Sequence, residues 1–440
     1  MWFRSTNSKE SPSQEQLASF RDAVLGCLPA DGGLYVPDKV IDIREFFLYM
    51  DEETTFPELV AAVTPTLLEG DFNSASASVV AESAFSFAPE LIQLDSDFSI
   101  LNLYNGPAGS YKDFGIAFLS AVLEELRKNA GYSLVLAAVR GDTGASIAHA
   151  FSRRKGIGAV LIYPSGPIRG LDPATFVPNG GNIIPIQVKG TFDDCQRLVN
   201  ETISDRKFSA RYSITSANAI NPGRLLPQTF YYLYAFIKIR KQLSGSLVFS
   251  IPCGNFGNLM AGLYAWKFGM PVNGFIAAMN SNNSLGNFIR GGTFTPGPLV
   301  FTNSPALDVR IPTNLSRLAS FYKEAPSVMR NMVYPASVDD ELTMQTIAEV
   351  RSKYEMYIDP HTAVAFAAAR QFAQEPDWKG THTIVLATGH YSKSAGLIRK
   401  ATGDAVSIPE DIVYLQKRMD PIAIIPPNLD AFENVIASCF

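Results

Sequence analysis

Four short segments of this 440-residue sequence set reactive or polar side chains beside glycines, each between a strand-like run and a helix-like one. In Asn105-Gly106-Pro107-Ala108-Gly109-Ser110-Tyr111-Lys112-Asp113 a lysine opens a helix next to a Gly-containing loop. An amine stripped of water there is a nucleophile that can form a Schiff base with an aldehyde cofactor, although most loop lysines simply point to water. Arg140-Gly141-Asp142-Thr143-Gly144 lets backbone N–H groups approach a ligand, and the following helix offers its positive end to an anion. An ordinary strand-to-helix turn capped by Asp142 or Thr143 would look the same. Cys253-Gly254-Asn255-Phe256-Gly257-Asn258 packs glycines and asparagines at a helix start, which makes a phosphate cradle of backbone amides. It is neither a Walker A loop nor a GxGxxG fingerprint. Finally, Ala387-Thr388-Gly389-His390-Tyr391-Ser392-Lys393 offers a hydroxyl that can bond an aromatic nitrogen and leave it largely unprotonated, where a carboxylate would favour the protonated form.

The elements that must hold these loops are short apolar runs separated by helical text. Strand-like runs cover 98–103, 133–139, 158–163, 183–188, 246–251 and 383–388, and a helix is expected over about 117–128. Apolar strands buried on both faces and alternating with helices imply open, mostly parallel sheets, whose ligands lie beyond the carboxyl ends of the strands. The fold class is therefore α/β, with a helical amino-terminal segment. Three regions are expected: an amino-terminal segment over 1–94; an α/β region over 95–240 bearing Lys112 and including a smaller domain; and an α/β region over 241–440 bearing the 254–258 loop. Residues 1–16 read as a mobile tail, 15–28 as a helix, and the Gly-, Pro- and Thr-rich stretch 291–312 as a long surface excursion.

An apolar fraction of 47% and a charged fraction of 18% belong to a folded globular chain. Net charge is −5, with no basic run to hold a phosphate backbone and no apolar run long enough to span a bilayer, so neither nucleic acid nor membrane is an expected partner. The amino terminus lacks the apolar core of a secretion signal and the character of a transit peptide. The four cysteines, Cys27, Cys195, Cys253 and Cys439, show no paired spacing, which fits a reducing, cytoplasmic location and gives no metal site.

In this order the segments resemble the threonine synthase family over about 20–400. The family's Pro-Asp-Gly-Gly-Leu-Tyr-Val-Pro is similar to 29–37 apart from the inserted Ala30, and its His-Gly-Pro-Thr-x-Ala-Phe-Lys-Asp to 105–113. Its Ser-Gly-Asp-Thr-Gly resembles 140–144, and its Ser-Ala-Asn-Ser-Ile-Asn resembles Ser216-Ala217-Asn218-Ala219-Ile220-Asn221, followed here by Arg224. The segments 252–258, 304–308, 359–364 and 387–393 also match. The resemblance implies the fold-type-II arrangement of a pyridoxal 5'-phosphate enzyme, with the cofactor cleft between two α/β domains. Lys112 would carry the cofactor and shuttle protons, Gly254, Asn255, Phe256, Gly257 and Asn258 would hold its phosphate, Asp142 would sit near its phenolic oxygen, and Thr388 would face its pyridine nitrogen. Arg140, Thr143, Ser216, Asn218, Arg224 and Lys393 would stand on the substrate's side. The partner implied is a small anionic amino acid, and the assembly a monomer or homodimer.

Departures concentrate on that substrate side. Asn105 replaces the family's His, Ala108 its Thr, Arg140 the Ser before Gly-Asp-Thr-Gly, and Ala219 the second Ser of Ser-Ala-Asn-Ser. Pro222, the run 165–172, Gly389, Tyr391 and Ser392 also differ. Small hydroxyl donors are lost while one cation suited to bidentate binding of carboxylate or phosphate, Arg140, is gained. Three functions stay open at this point. One is conversion of O-phospho-L-homoserine to L-threonine. Another is β- or γ-elimination or replacement on a different anionic amino acid. The third is non-catalytic binding of the cofactor or a phosphorylated ligand, which Lys112 and Asp142 argue against. His149 reads as a helix-face residue and His361 as a helix-start residue that orders the cleft.

Overall fold

Buried β-branched and aliphatic runs organise the chain. A computed structural model describes every residue except 9–12, 69, 129–130, 153, 166–180, 411 and 413–419. Two large sheets carry the architecture. A six-stranded sheet has the order β12 (Val333–Ser337), β11 (Gly274–Met279), β10 (Leu247–Pro252), β13 (His382–Ala387), β5 (Phe98–Asn102), β4 (Glu90–Gln93), parallel except for β4. A five-stranded, wholly parallel sheet has the order β14 (Ala423–Ile425), β8 (Ile183–Val188), β7 (Ile157–Pro164), β6 (Ser133–Ala138), β9 (Ile214–Ser216). Every residue of β5, β6, β7, β10, β11 and β13 is buried, as expected for parallel strands covered by helices on both faces. Sheet membership is interleaved along the chain: β4 and β5 pair beside β13, and β14 returns to β8. This is the α/β class expected.

The strand ends dictate the site. β5, β6, β10 and β13 each run out at their carboxyl ends into one of the four Gly-containing segments; parallel pairing of β5, β13 and β10 delivers three of them to one side of the six-stranded sheet, and β6 supplies the fourth from the five-stranded sheet. Lys112 is the first residue of the helix Lys112–Arg127, which extends five residues further toward the amino terminus than its apolar spacing suggests. That helix is clamped by aromatic rings: Phe114 lies edge-on to Phe56 at 5.4 Å and to Tyr231 at 5.7 Å, and Phe118 to Phe230 at 5.6 Å. On its other side Gly115 admits a backbone: a Cβ there would stand 2.3 Å from the Arg224 carbonyl oxygen. The helix bearing Lys112 is thus seated directly on the short helix Pro222–Leu225.

The amino terminus corrects two expectations. Within 1–16, Trp2–Ser5 forms β1, which pairs antiparallel with Ala18–Ser19 (β2) and Tyr35–Pro37 (β3). Phe3 is fully buried against Phe20, and that burial is what draws the segment onto the body of the protein. The expected helix over 15–28 is only Phe20–Gly26, because Ala18 and Ser19 are extended to pair with β1 and Ser19 then caps the helix through Asp22 N–H. The helices Phe56–Leu67 and Ser74–Ala84 complete the helical segment, each opening on a capping box.

Candidate active site

The four segments surround one cavity of about 580 Å³. Lys112, Asp142, Thr388 and all of 254–258 line it, as do Arg140, Thr143, Asn218, Arg224 and Lys393. Ser216 does not. It is fully buried at the end of β9, where its Oγ accepts the Asn218 N–H at 3.0 Å. Asn218 reaches the wall, but its amide is spent on both backbone groups of Ala138 (2.8 and 2.9 Å). Of the departure at 165–172, all but Ser165 lies outside the described residues.

Lys112 Nζ stands 3.9 Å from Asp142 Oδ2, with the lysine side chain 18% exposed. Burial pushes the amine down to about 8. Asp142 opposes that shift, and the cations of Arg224, Lys393 and Arg140 reinforce it. Burial works to raise Asp142, but Lys393 and Lys112 outweigh it and hold the carboxyl down at about 2. Lys393 Nζ meets three acceptors: Ala108 O (2.5 Å), Gly109 O (2.8 Å) and Asp142 Oδ1 (2.8 Å). Arg224 is buried, with its cation pushed down to about 10 by burial, and donates to Ala217 O at 2.5 Å.

The 254–258 segment is a cradle shaped by backbone. Phe256 takes the left-handed conformation (φ 58°, ψ 3°) as it caps the helix Gly257–Lys267, and no side chain bonds the cap. The first N–H groups of a helix have no intrahelical acceptor, and here they face a cavity wall. A Cβ on Gly254 would stand 2.8 Å from Ala306 O and 3.1 Å from Leu307 Cα. Only glycine lets the loop close so tightly on 305–307. Asn258 Oδ1 accepts from Tyr231 and Tyr232 hydroxyls (2.6 and 2.7 Å), while its Nδ2 is buried with no acceptor among the described residues. An orphaned buried donor on a cavity wall needs a partner. Thr388 also has a hydroxyl with no hydrogen bond among the described residues, while its carbonyl accepts the Tyr111 N–H at 3.0 Å. An anion cradle, a part-desolvated amine and two unsatisfied polar groups in one cleft fit a phosphorylated aromatic aldehyde.

Arg140 lays its guanidinium over the Phe192 ring, 5.0 Å from the centroid, and makes no ion pair or hydrogen bond among the described residues. Phe192, the first residue of the helix Phe192–Ser204, was not legible as a site residue, because its motif is an ordinary capping box opened by Thr191. The expected surface excursion over 291–312 is only partly that. Ser304 and Leu307 are buried, and 301–303 and 305–307 line the cavity. The hydrogen bonds that Asp308 accepts from Asn280 and Thr302 draw this stretch inward. His361 Nδ1 pairs with Asp359 Oδ2 at 2.5 Å and its Nε2 accepts the Ala306 N–H at 3.1 Å, so both ring nitrogens are engaged in holding 305–307. His149 is exposed on the helix Asp142–Phe151.

Fold and site together define a fold-type-II pyridoxal-phosphate-dependent enzyme, and the family model for pyridoxal-phosphate dependent enzymes matches residues 89–389. The threonine synthase amino-terminal and carboxy-terminal models match 2–85 and 362–436. The chain belongs to the threonine synthase family. It is 35% identical to threonine synthase of Buchnera aphidicola (subsp. Acyrthosiphon pisum), over 77% of each chain. To that of Escherichia coli K12 it is 32% identical, over 94% of each. Among solved structures, threonine synthase from Escherichia coli superimposes with a TM-score of 0.86 at 28% identity, covering all of both chains. The pyridoxal-phosphate-bound threonine synthase from Brucella melitensis gives 0.86 at 25% identity, covering 100% of this chain and 99% of that one.

Proposed function

We propose that this protein is a threonine synthase that takes O-phospho-L-homoserine and water to L-threonine and inorganic phosphate. The observation that carries the reading is the meeting of Lys112, Asp142, Thr388 and the Gly254–Asn258 cradle in one cavity, on a chain with the family's full-length frame. When bound, pyridoxal phosphate supplies an electron sink for the negative charge that develops at Cα and then at Cβ. The chain's own residues do the rest. Backbone amides at 256–258 would hold the cofactor phosphate, the Thr388 hydroxyl would serve its pyridine nitrogen, and Asp142 would serve its phenolic oxygen. Lys112 Nζ, with its pKa lowered to about 8, takes a proton from one carbon and returns it to another. Arg140, without an ion pair among the described residues and facing the cavity, takes the substrate's phosphate or carboxylate, with Thr143 beside it at a helix amino end. Four free cysteines support a reducing, cytoplasmic setting.

The test is product analysis. Full-length protein with pyridoxal phosphate and O-phospho-L-homoserine should release phosphate and threonine in equal amounts, and Lys112→Ala should release neither. If the cofactor can be trapped on Lys112 with borohydride while neither product appears, the cofactor assignment stands and the substrate is a different anionic amino acid.

A further inference from the structure

Lys393 stands at the cleft, but its chemistry there is already committed. A protonated lysine has three N–H donors. Ala108 O, Gly109 O and Asp142 Oδ1 lie within 2.8 Å of its nitrogen and take all three, leaving none for a substrate carboxylate or phosphate. Those acceptors belong to two structural parts. Ala108 and Gly109 form the loop that delivers Lys112, and Asp142 opens the helix that follows β6. Lys393 itself lies just past β13, in the short 3-10 helix Tyr391–Ser394. The same join is reinforced by backbone: His390 N–H donates to Gly109 O (3.0 Å), Tyr111 N–H donates to Thr388 O (3.0 Å), and Ser110 bridges Gly389. From below, Asp113 accepts the N–H groups of Ala108 (2.9 Å) and Ser110 (3.4 Å). The Asp142 carboxylate thus serves two ammonium groups, Lys393 at 2.8 Å on one oxygen and Lys112 at 3.9 Å on the other.

We propose that Lys393 is a positioning residue and not a substrate contact: it ties the Ala108–Gly109 carbonyls to the Asp142 carboxylate, and so sets where Lys112 stands and how strongly Asp142 holds its ammonium. This rests on the reading of Lys112 as the residue that takes the cofactor. The charged groups acting on Lys112 are Asp142, Arg224, Lys393 and Arg140. Removing the Lys393 charge leaves Asp142 to Lys112 alone and takes away one repelling cation. Both changes favour the Lys112 ammonium, so the neutral amine appears only at higher pH.

Pyridoxal phosphate is added to full-length protein over a range of pH and reduced with borohydride, and the labelled Lys112 peptide is measured by mass spectrometry. The unaltered protein should show a midpoint near pH 8, where its amine titrates. Lys393→Met should move the midpoint up by about one pH unit and cut labelling at neutral pH several-fold. Lys393→Arg, which keeps charge and donors, should restore most of the shift. Lys393→Gln serves the same purpose should the Met variant not fold, which its melting curve reports. A variant that labels with the original midpoint but needs more O-phospho-L-homoserine for half-maximal rate overturns the proposal alone. Labelling of the unaltered protein on another lysine overturns the Lys112 assignment, and the proposal with it.

Discussion

Arg140 reaches the cleft from the end of β6 without a bonded partner among the described residues, although its guanidinium is held over a ring on the cavity wall. Phe192 supports its flat face and leaves the fork of donors free. Asp308 and Asp193 act on it only through space. Such a group is satisfied when an anion arrives, and a charge-assisted pair of this kind contributes about 1.5–3 kcal/mol. Arg140→Ala should therefore raise KM for O-phospho-L-homoserine by about ten- to a hundredfold, with little change in trapping of pyridoxal phosphate on Lys112. Arg140→Lys should recover only part, since a lysine gives no bidentate fork. Steady-state kinetics beside the trapping assay check both. An unchanged KM would place the substrate's anion elsewhere. At this scale the sequence spoke clearly where chemistry sits inside one short segment, as with Lys112, Asp142 and Thr388. It could not tell that Lys393 is consumed by carbonyls 284 and 285 residues away, nor that Ser216 faces inward to hold Asn218, because both depend on tertiary contact.

Among the elements, the turn from β10 into the helix Gly257–Lys267 depends most sharply on one missing atom. A methyl on Gly254 would press into Ala306 O and Leu307 Cα, which are backbone atoms that cannot swing aside. The loop would have to open, and its amides would lose their convergence on one anion. Gly254→Ala should thus weaken retention of pyridoxal phosphate by tenfold or more, on the order of 1.4 kcal/mol, while helix content stays the same. Titration of the cofactor against the purified variant, beside circular dichroism, checks it; unchanged affinity would mean that the 305–307 wall yields. The strands behind this turn were readable because full burial selects unbroken apolar runs, as in Leu247–Pro252 and His382–Ala387. The 301–307 wall was not readable. Its Thr, Asn, Ser and Pro suit an exposed loop equally well, and bonds to Asp308, Asn280, Asp340 and His361 turn it inward.

Over the whole molecule, alternating runs and Gly loops were enough for the class, two mostly parallel sheets with helices, but not for which strand joins which sheet. Pairing β5 beside β13 is decided by how faces pack, and runs of Ile, Leu and Val look alike wherever they pair. One buried side chain reaches segments attached to all three sheets. Arg317 is fully buried and donates to Tyr35 O of β3 (2.9 Å), to Ala219 O and Ile220 O past β9 (2.7 and 2.5 Å), and to Asn314 Oδ1 (2.6 Å). Asn314 in turn donates through its N–H and Nδ2 to Asn255 O in the loop past β10, at 3.2 Å each. One guanidinium therefore links the amino-terminal sheet, the asparagine loop of the five-stranded sheet and the phosphate loop of the six-stranded sheet. Its acceptors are all neutral, and burial pushes its cation down to about 10. Arg317→Met removes the buried charge but strands three carbonyls and an amide oxygen, so the balance turns on the acceptors left behind, at about 1–3 kcal/mol each. The variant should lose about 3 kcal/mol or more and melt several degrees lower. It should also release pyridoxal phosphate more readily, although Arg317 does not line the cavity. Thermal melts with and without the cofactor separate the two effects: a variant that melts early yet binds the cofactor as tightly as before would make Arg317 a stabilising pin with no part in setting the spacing between the loops.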